Sequence, residues 1–293
     1  MKYAAFVFFC LPLLLWAQEE YPFPSLSPKT HLSYQIGDTE IEIEYERPAA
    51  RGRTIYGELV PWNKVWRTGA GDCTKISFSR DVRLNNQAVP KGTYSLFSIP
   101  SPDQWVIILN ADTSLYGSPD YDSNQDIVRF VVRTQQSDRF YESLTFDLDF
   151  VPNHGRIYIS WTDVQVSFDL FTDTDQTVQH MITTDLLTKE SKVADHYLGA
   201  AEYLLYQQQD YAQALKLVEH AFSLDPKSAW GSRLNILLLM RLKYHQRALA
   251  AVDAAVARSQ QSSFPNAKEK QWELNYWESF RKKIQAAQAE SNN

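Results

Sequence analysis

Arg47, Arg53 and Arg67 lie in one Gly- and Pro-rich stretch that also holds Trp62, Trp66 and Asp72. A guanidinium is a rigid fork that matches carboxylate or phosphate oxygens and stacks on indole rings. Converging, these residues would form a pocket for a small anionic or saccharide ligand, walled by Trp66 and Tyr94. The candidate ligand-binding set is Arg47, Arg53, Trp66, Arg67, Thr68, Asp72 and Tyr94. The same charges have a structural use: arginines can pin a long loop to a sheet through Glu44, Glu46, Glu58 and Asp72, since buried charges are usually paired. Gly69-Ala70-Gly71 can form a backbone anion nest. A hydrolase would use Asp72 as acid or base and an arginine as transition-state clamp.

Other reactive residues point to less. Cys73 becomes a nucleophile only beside a His, and His31 or His154 could reach it only through tertiary folding; a small buried core thiol is the simpler expectation. The six histidines, His31, His154, His180, His196, His220 and His245, are dispersed without ligand spacing, so neither metal nor cofactor is expected. Asp147 and Asp149 could pair at a glycosidase-like cleft, but they alternate along a strand as surface residues do.

The elements that must position this chemistry are strands. Glu40–Glu46 alternates strictly, Ile41, Ile43 and Tyr45 against glutamates, which is the period of a half-buried strand. Further strands are expected at His31–Ile36, Lys75–Ser79, Thr93–Ile99, Trp105–Leu109, Ile127–Arg133 and Leu144–Val151. Val82–Leu84 and Ala88–Val89 flank an Asn85-Asn86 turn, and Arg156–Trp161 with Val164–Phe171 flank Thr162-Asp163. Trp105–Leu109 is apolar throughout and belongs in the centre. About ten short strands without intervening helices mean a β-sandwich or barrel.

After Phe171 the period changes to that of helices. Val178, Ile182 and Leu186 form one stripe. Helices follow at Val193–Gln208, Tyr211–Ser223, Ser228–Leu242 and His245–Ser259, with a last one running from Asn266 to about Ala287. In the last, Trp272, Tyr276, Phe280 and Ile284 share a face and are expected in the core. Ala214, Leu215, Val218 and Ala221 superimpose on Ala248, Leu249, Val252 and Ala255 at an offset of about 34 residues, the period of tetratricopeptide repeats. Asp210–Leu215 and Ala221–Pro226 resemble that family's second helix and closing proline, whereas Gln260 stands where the second proline would be. The resemblance implies a helical region that binds a peptide or protein partner or packs against the sandwich.

The chain of 293 residues is 44% hydrophobic and carries a formal charge of −6, so it is globular and has no electrostatic footprint for nucleic acid. Lys2, the apolar run Ala4–Trp16 and Ala17 before Gln18 read as an export signal, too short for a span of about 20 residues. Cleavage there leaves no membrane span, a periplasmic, cell-envelope or secreted protein, and Cys73 as the sole thiol. The expected divisions are a signal peptide (1–17), a linker (18–29), a β domain (30–171), a connecting helix (172–192) and helical repeats with a capping helix (193–288). Proteases should reach the chain first between Thr172 and Thr177 or before Tyr21.

Ser27-Pro28-Lys29, Ile36-Gly37, Tyr45-Glu46-Arg47-Pro48, Gly52-Arg53, Leu59-Val60-Pro61, Trp66–Ala70, Gly92–Leu96 and Trp105 resemble signatures of a bacterial secreted family, domain of unknown function 2911. The likeness spans Ser27–Phe171. At Gly71, Asp72 and Cys73 that family more often has Asn, Glu and Ala. The resemblance implies a secreted fold and supplies no activity. The leading expectation is a non-catalytic binding module, with an extracytoplasmic hydrolase and a structural envelope protein as alternatives.

Overall fold

Strand β2 (Thr39–Glu46) buries Thr39, Ile41, Ile43 and Tyr45 and turns its glutamates outward. Successive side chains of a strand point to opposite faces, so a strict apolar alternation can only fold this way. The other strands are β1 (Lys29–Ile36), β3 (Ala70–Phe78), β4 (Val82–Leu84), β5 (Gln87–Val89), β6 (Gly92–Pro100), β7 (Gln104–Asn110), β8 (Asp126–Arg133), β9 (Gln135–Val151) and β10 (His154–Thr172). They form two antiparallel sheets, ordered β1-β2-β3-β6-β7-β8 and β5-β4-β10-β9. The structure is a computed structural model and describes residues 23–151 and 153–291. The expected export signal and the start of the linker lie outside the described residues.

The two sheets face each other across one core. Ile43, Ile76, Leu96 and Trp105 enter from the six-stranded sheet, and Leu84, Ile157, Trp161 and Leu170 from the four-stranded one. The architecture is therefore a sandwich. In β7, Ile107 and Leu109 join this core, while Ile108 packs with Cys73 and Phe97 beneath Leu115 and Tyr121 on the other face. Cover on both faces is why that strand is apolar throughout.

Turn chemistry follows the residues. Asn85 and Asn86 take φ of 46° and 69° between β4 and β5, the left-handed pair that a two-residue hairpin requires. The expected last hairpin is a single element, β10, which doubles back at Thr162 (φ 58°) so that Thr172 N–H reaches the Asn153 carbonyl at 3.1 Å. Strand β9 begins at Gln135 rather than Leu144. Its polar first half has no alternation to read, and its pairing with Gln165, Val164 and Thr162 of β10 makes it a strand.

Helix α1 (Thr174–Met181) widens into a π-helical turn at Ile182–Thr188. Then come α2 (Ala194–Tyr206), α3 (Tyr211–Leu224), α4 (Ala229–Arg241), α5 (His245–Gln261) and α6 (Ala267–Ser291). Ala214, Val218 and Ala221 of α3 and Ala248, Val252 and Ala255 of α5 are all at most 1% exposed, so the two helical hairpins bury corresponding residues. The α6 stripe differs from expectation: Trp277, Phe280 and Ile284 are buried, whereas Trp272 is 67% exposed. Each step of four residues overshoots a helical turn by about 40°. Successive steps from Ile284 therefore carry Trp272 out of the contact. Among the described residues no helix is long and apolar enough to cross a membrane.

The β and helical regions meet through polar groups. The Thr174 hydroxyl donates to Asp38 Oδ1 at 2.6 Å. Asp175 Oδ1 accepts from Asn153 (2.9 Å), Tyr203 (2.6 Å) and Gln209 (2.8 Å).

Candidate functional site

The segment between β2 and β3 leaves one sheet and attaches to the edge of the other. Ala50 N–H donates to the Glu142 carbonyl at 2.7 Å, and Leu144 N–H to that of Pro48 at 2.9 Å. A loop that departs from its sheet exposes carbonyls and amides that need partners, and β9 supplies them. Arg47 completes this attachment, donating Nε to the Leu144 carbonyl (3.0 Å) and Nη2 to Thr145 Oγ1 (2.9 Å). Arg53 folds the loop on itself, with Nε to the Ala50 carbonyl (3.0 Å) and Nη2 to that of Ala49 (2.7 Å). Neither guanidinium meets Glu44, Glu46 or Glu58.

Trp66 enters the core. It stacks on Trp161 at 6.1 Å and 20°, and Tyr56 and Trp105 stand edge-on to it. Its indole N–H caps the Gly69 carbonyl at 3.1 Å. Its backbone exchanges two 2.8 Å hydrogen bonds with Ser98 of β6. Thr68 is fully buried at φ 54°, a rare conformation for a β-branched residue. Its surroundings hold it there: the hydroxyl lies 2.9 Å from Ser98 Oγ, and its carbonyl accepts from Thr74 Oγ1 at 2.8 Å.

Where an anion nest was expected at Gly69–Gly71, the Glu46 carboxylate lies against Gly71. Gly71 has φ 54°, and a Cβ there would stand 2.3 Å from either Glu46 carboxylate oxygen. Asp72 N–H points to Glu46 Oε1 at 3.4 Å. The Asp72 side chain turns outward to Lys29 Nζ at 2.8 Å, and this ammonium holds its carboxyl below the usual carboxylate range.

Arg67 follows Trp66 and diverges from it, as neighbours on extended backbone do. It lies close enough to Cys73 for its charge to act on that thiol. Its guanidinium makes no ion pair or hydrogen bond among the described residues, and Nε is buried without an acceptor. Cys73 itself donates to the Gly117 carbonyl at 2.9 Å, and burial pushes its thiol up to about 11, with Arg67 opposing. Tyr94 sits four residues before Ser98 on β6, about 13 Å along the strand. Its hydroxyl donates to the Pro90 carbonyl at 2.7 Å. The structure thus brings Trp66, Thr68 and Ser98 together, and distributes Arg47, Arg53, Arg67, Asp72 and Tyr94 among separate partners. Among the described residues no cluster of His, Cys, Asp and Glu could hold a metal ion.

A second candidate surface lies on the helices. Tyr206 and Trp272 stand 58% and 67% exposed. Trp272 stacks on Tyr276 at 5.7 Å and 11°. Arg233 of α4 pairs with Glu202 of α2 and reaches the Tyr276 hydroxyl, which also feels Tyr206. Gly199, Tyr203 and Gln207 extend this surface into an open cleft beside Arg233. Of the two stacked rings, Tyr276 packs against the helical core as expected, and Trp272 alone departs from it. The signal available was the 40° drift of a four-residue repeat.

The model of one protein family, described as a protein of unknown function, matches residues 27–170. No curated protein and no solved structure matches the chain.

Proposed function

Starting from the membership of residues 27–170 in the DUF2911 family of proteins of unknown function, we propose that this is a non-catalytic binding protein whose helical region holds a peptide segment of a partner. The sandwich acts as its rigid base. The observation that carries this reading is the pair of exposed rings Tyr206 and Trp272, with the half-buried Tyr276 beneath Trp272, around the Arg233–Glu202 pair. Rings with an apolar body and a polar tip, and arginine, are the residues most enriched at the centres of protein interfaces. A photo-crosslinking amino acid placed at Trp272 or Tyr206 should capture one and the same partner. The same group at Phe140, equally exposed on β9, should not capture it. Crosslinks of equal pattern from all three positions would overturn the reading.

Arg67 favours a second reading, in which a small anionic ligand meets the sandwich. A buried guanidinium nitrogen without an acceptor calls for one, and Arg67 Nε is such a donor. Inorganic phosphate or glucuronate should then raise the melting point by mass action, and Arg67→Ala should abolish the rise. No rise with either compound would remove this reading and leave the first intact. The hydrolase alternative has less support, because Lys29 keeps the Asp72 carboxylate ionised at the surface.

A further inference from the structure

A cavity of about 280 Å3 opens between the start of α4, the end of α5 and the first half of α6, lined by Lys227, Ser232, Arg258, Ser259, Glu273 and Trp277 among others. Its walls carry opposite charges that do not meet. On one side Arg258 donates Nη1 to the Pro226 carbonyl at 3.1 Å and Nη2 to Ser232 Oγ at 2.6 Å. Both acceptors are neutral, and Arg258 has no ion-pair partner among the described residues. On the other side Glu273 Oε1 accepts from Ser259 Oγ and from the Trp277 indole, each at 3.2 Å. Glu273 Oε2 has no hydrogen bond and Glu273 no ion pair among the described residues. The supporting groups are fixed, since Ser232, Ser259 and Trp277 are only 3%, 4% and 3% exposed.

A partly buried charge held by neutral groups alone is costly, and the cost falls when a counter-charge arrives. Here two opposite charges face one space, each lacking its counter-ion. Burial lowers the Arg258 pKa, consistent with a cation short of solvent and of a carboxylate, although Asp225 opposes the shift. Lys227, exposed at the rim beside Pro226, strengthens the positive end. Pockets for drug-sized ligands run from about 300 to 1,000 Å3, so a guest of this cavity is small.

We propose that the cavity binds a small zwitterion of the amino-acid class, its carboxylate on Arg258 and its ammonium on Glu273. The site is independent of the exposed rings Tyr206 and Trp272 and of Arg67. Titration of the full chain with glycine, L-serine and L-leucine, followed by calorimetry and melting point, tests it. At matched ionic strength, sodium acetate and ethylammonium chloride supply each charge alone. At least one amino acid should bind saturably and raise the melting point, and neither half-ligand should. Arg258→Gln and Glu273→Gln should each weaken binding by about tenfold or more. Glu273→Gln keeps an oxygen acceptor for Ser259 and Trp277, so its fold, followed by circular dichroism, should persist. No saturable binding of any of the three amino acids, acetate binding as well as they do, or undiminished binding to a folded Glu273→Gln would each overturn the proposal.

Discussion

Arg47 donates to the Leu144 carbonyl and the Thr145 hydroxyl, so Arg47→Ala leaves the β9 edge with lost partners. The expected loss is about 1–3 kcal/mol. Arg67→Ala removes a buried Nε that had no acceptor, and the unliganded protein should change by no more than about 0.5 kcal/mol or gain slightly. Urea unfolding of both variants decides. A larger loss at Arg67 than at Arg47 would mean that the loop is held otherwise than described. Cys73 gives a second test. Its folded pKa of about 11 lies above the ordinary 9.0, because burial disfavours the thiolate. The folded state therefore keeps the proton where the unfolded chain releases it. The stability this contributes is complete below about pH 9 and is lost as pH rises through 11. At neutral pH, iodoacetamide should label Cys73 only in denaturant; rapid labelling of the native protein would contradict the burial.

Between elements, the contact that matters is the one joining β1–β2 to α1. Gly37 turns that hairpin at φ 57°, and a Cβ would stand 2.1 Å from Thr174 Oγ1. The glycine serves the turn and the approach of the helix at once. Gly37→Ala should lower stability by about 1 kcal/mol or more, since alanine is strained at positive φ even in open space. Asp175→Ala strips one acceptor from Asn153, Tyr203 and Gln209 together. Hydrogen bonds to a charged group are worth about 1.5–3 kcal/mol, and those left unmade cost desolvation besides. A loss near 3 kcal/mol is expected, or separate melting of the sandwich and the helices in calorimetry. An unchanged single transition would show that the regions are coupled elsewhere.

For the molecule as a whole, the junction is firmer than a linker. Thr172 and Thr174 are 7% and 3% exposed, and their hydroxyls lie 2.9 Å apart. First cleavage between Thr172 and Thr177, the expectation from the change of period, is thereby disfavoured. An irregular, mostly exposed segment follows at Lys189–Val193, between the π-helical turn and α2. Trypsin should cut first after Lys189 or Lys192, leaving α1 with the sandwich. Early cuts that instead separated α1 from β10 would restore the first boundary.

Much of this architecture was legible in the residues because it depends on neighbours in sequence. The alternation of Ile41, Ile43 and Tyr45, the Asn85-Asn86 turn, the proline after α3 and the matched alanines of α3 and α5 are local signals, and local geometry obeys them. The fate of the loop arginines was not legible. Arg47 meets a carbonyl 97 positions away, and nothing near it in sequence says whether that acceptor, a glutamate or a ligand will be closest. Trp66 likewise needed Trp161, and Gly71 needed Glu46, before the turn between them made sense. The facing charges of Arg258 and Glu273 come from different helices, and only packing sets the gap between them. Periodicity decides which face of an element is buried; where a long polar side chain ends is decided by whatever acceptor the other elements bring within reach.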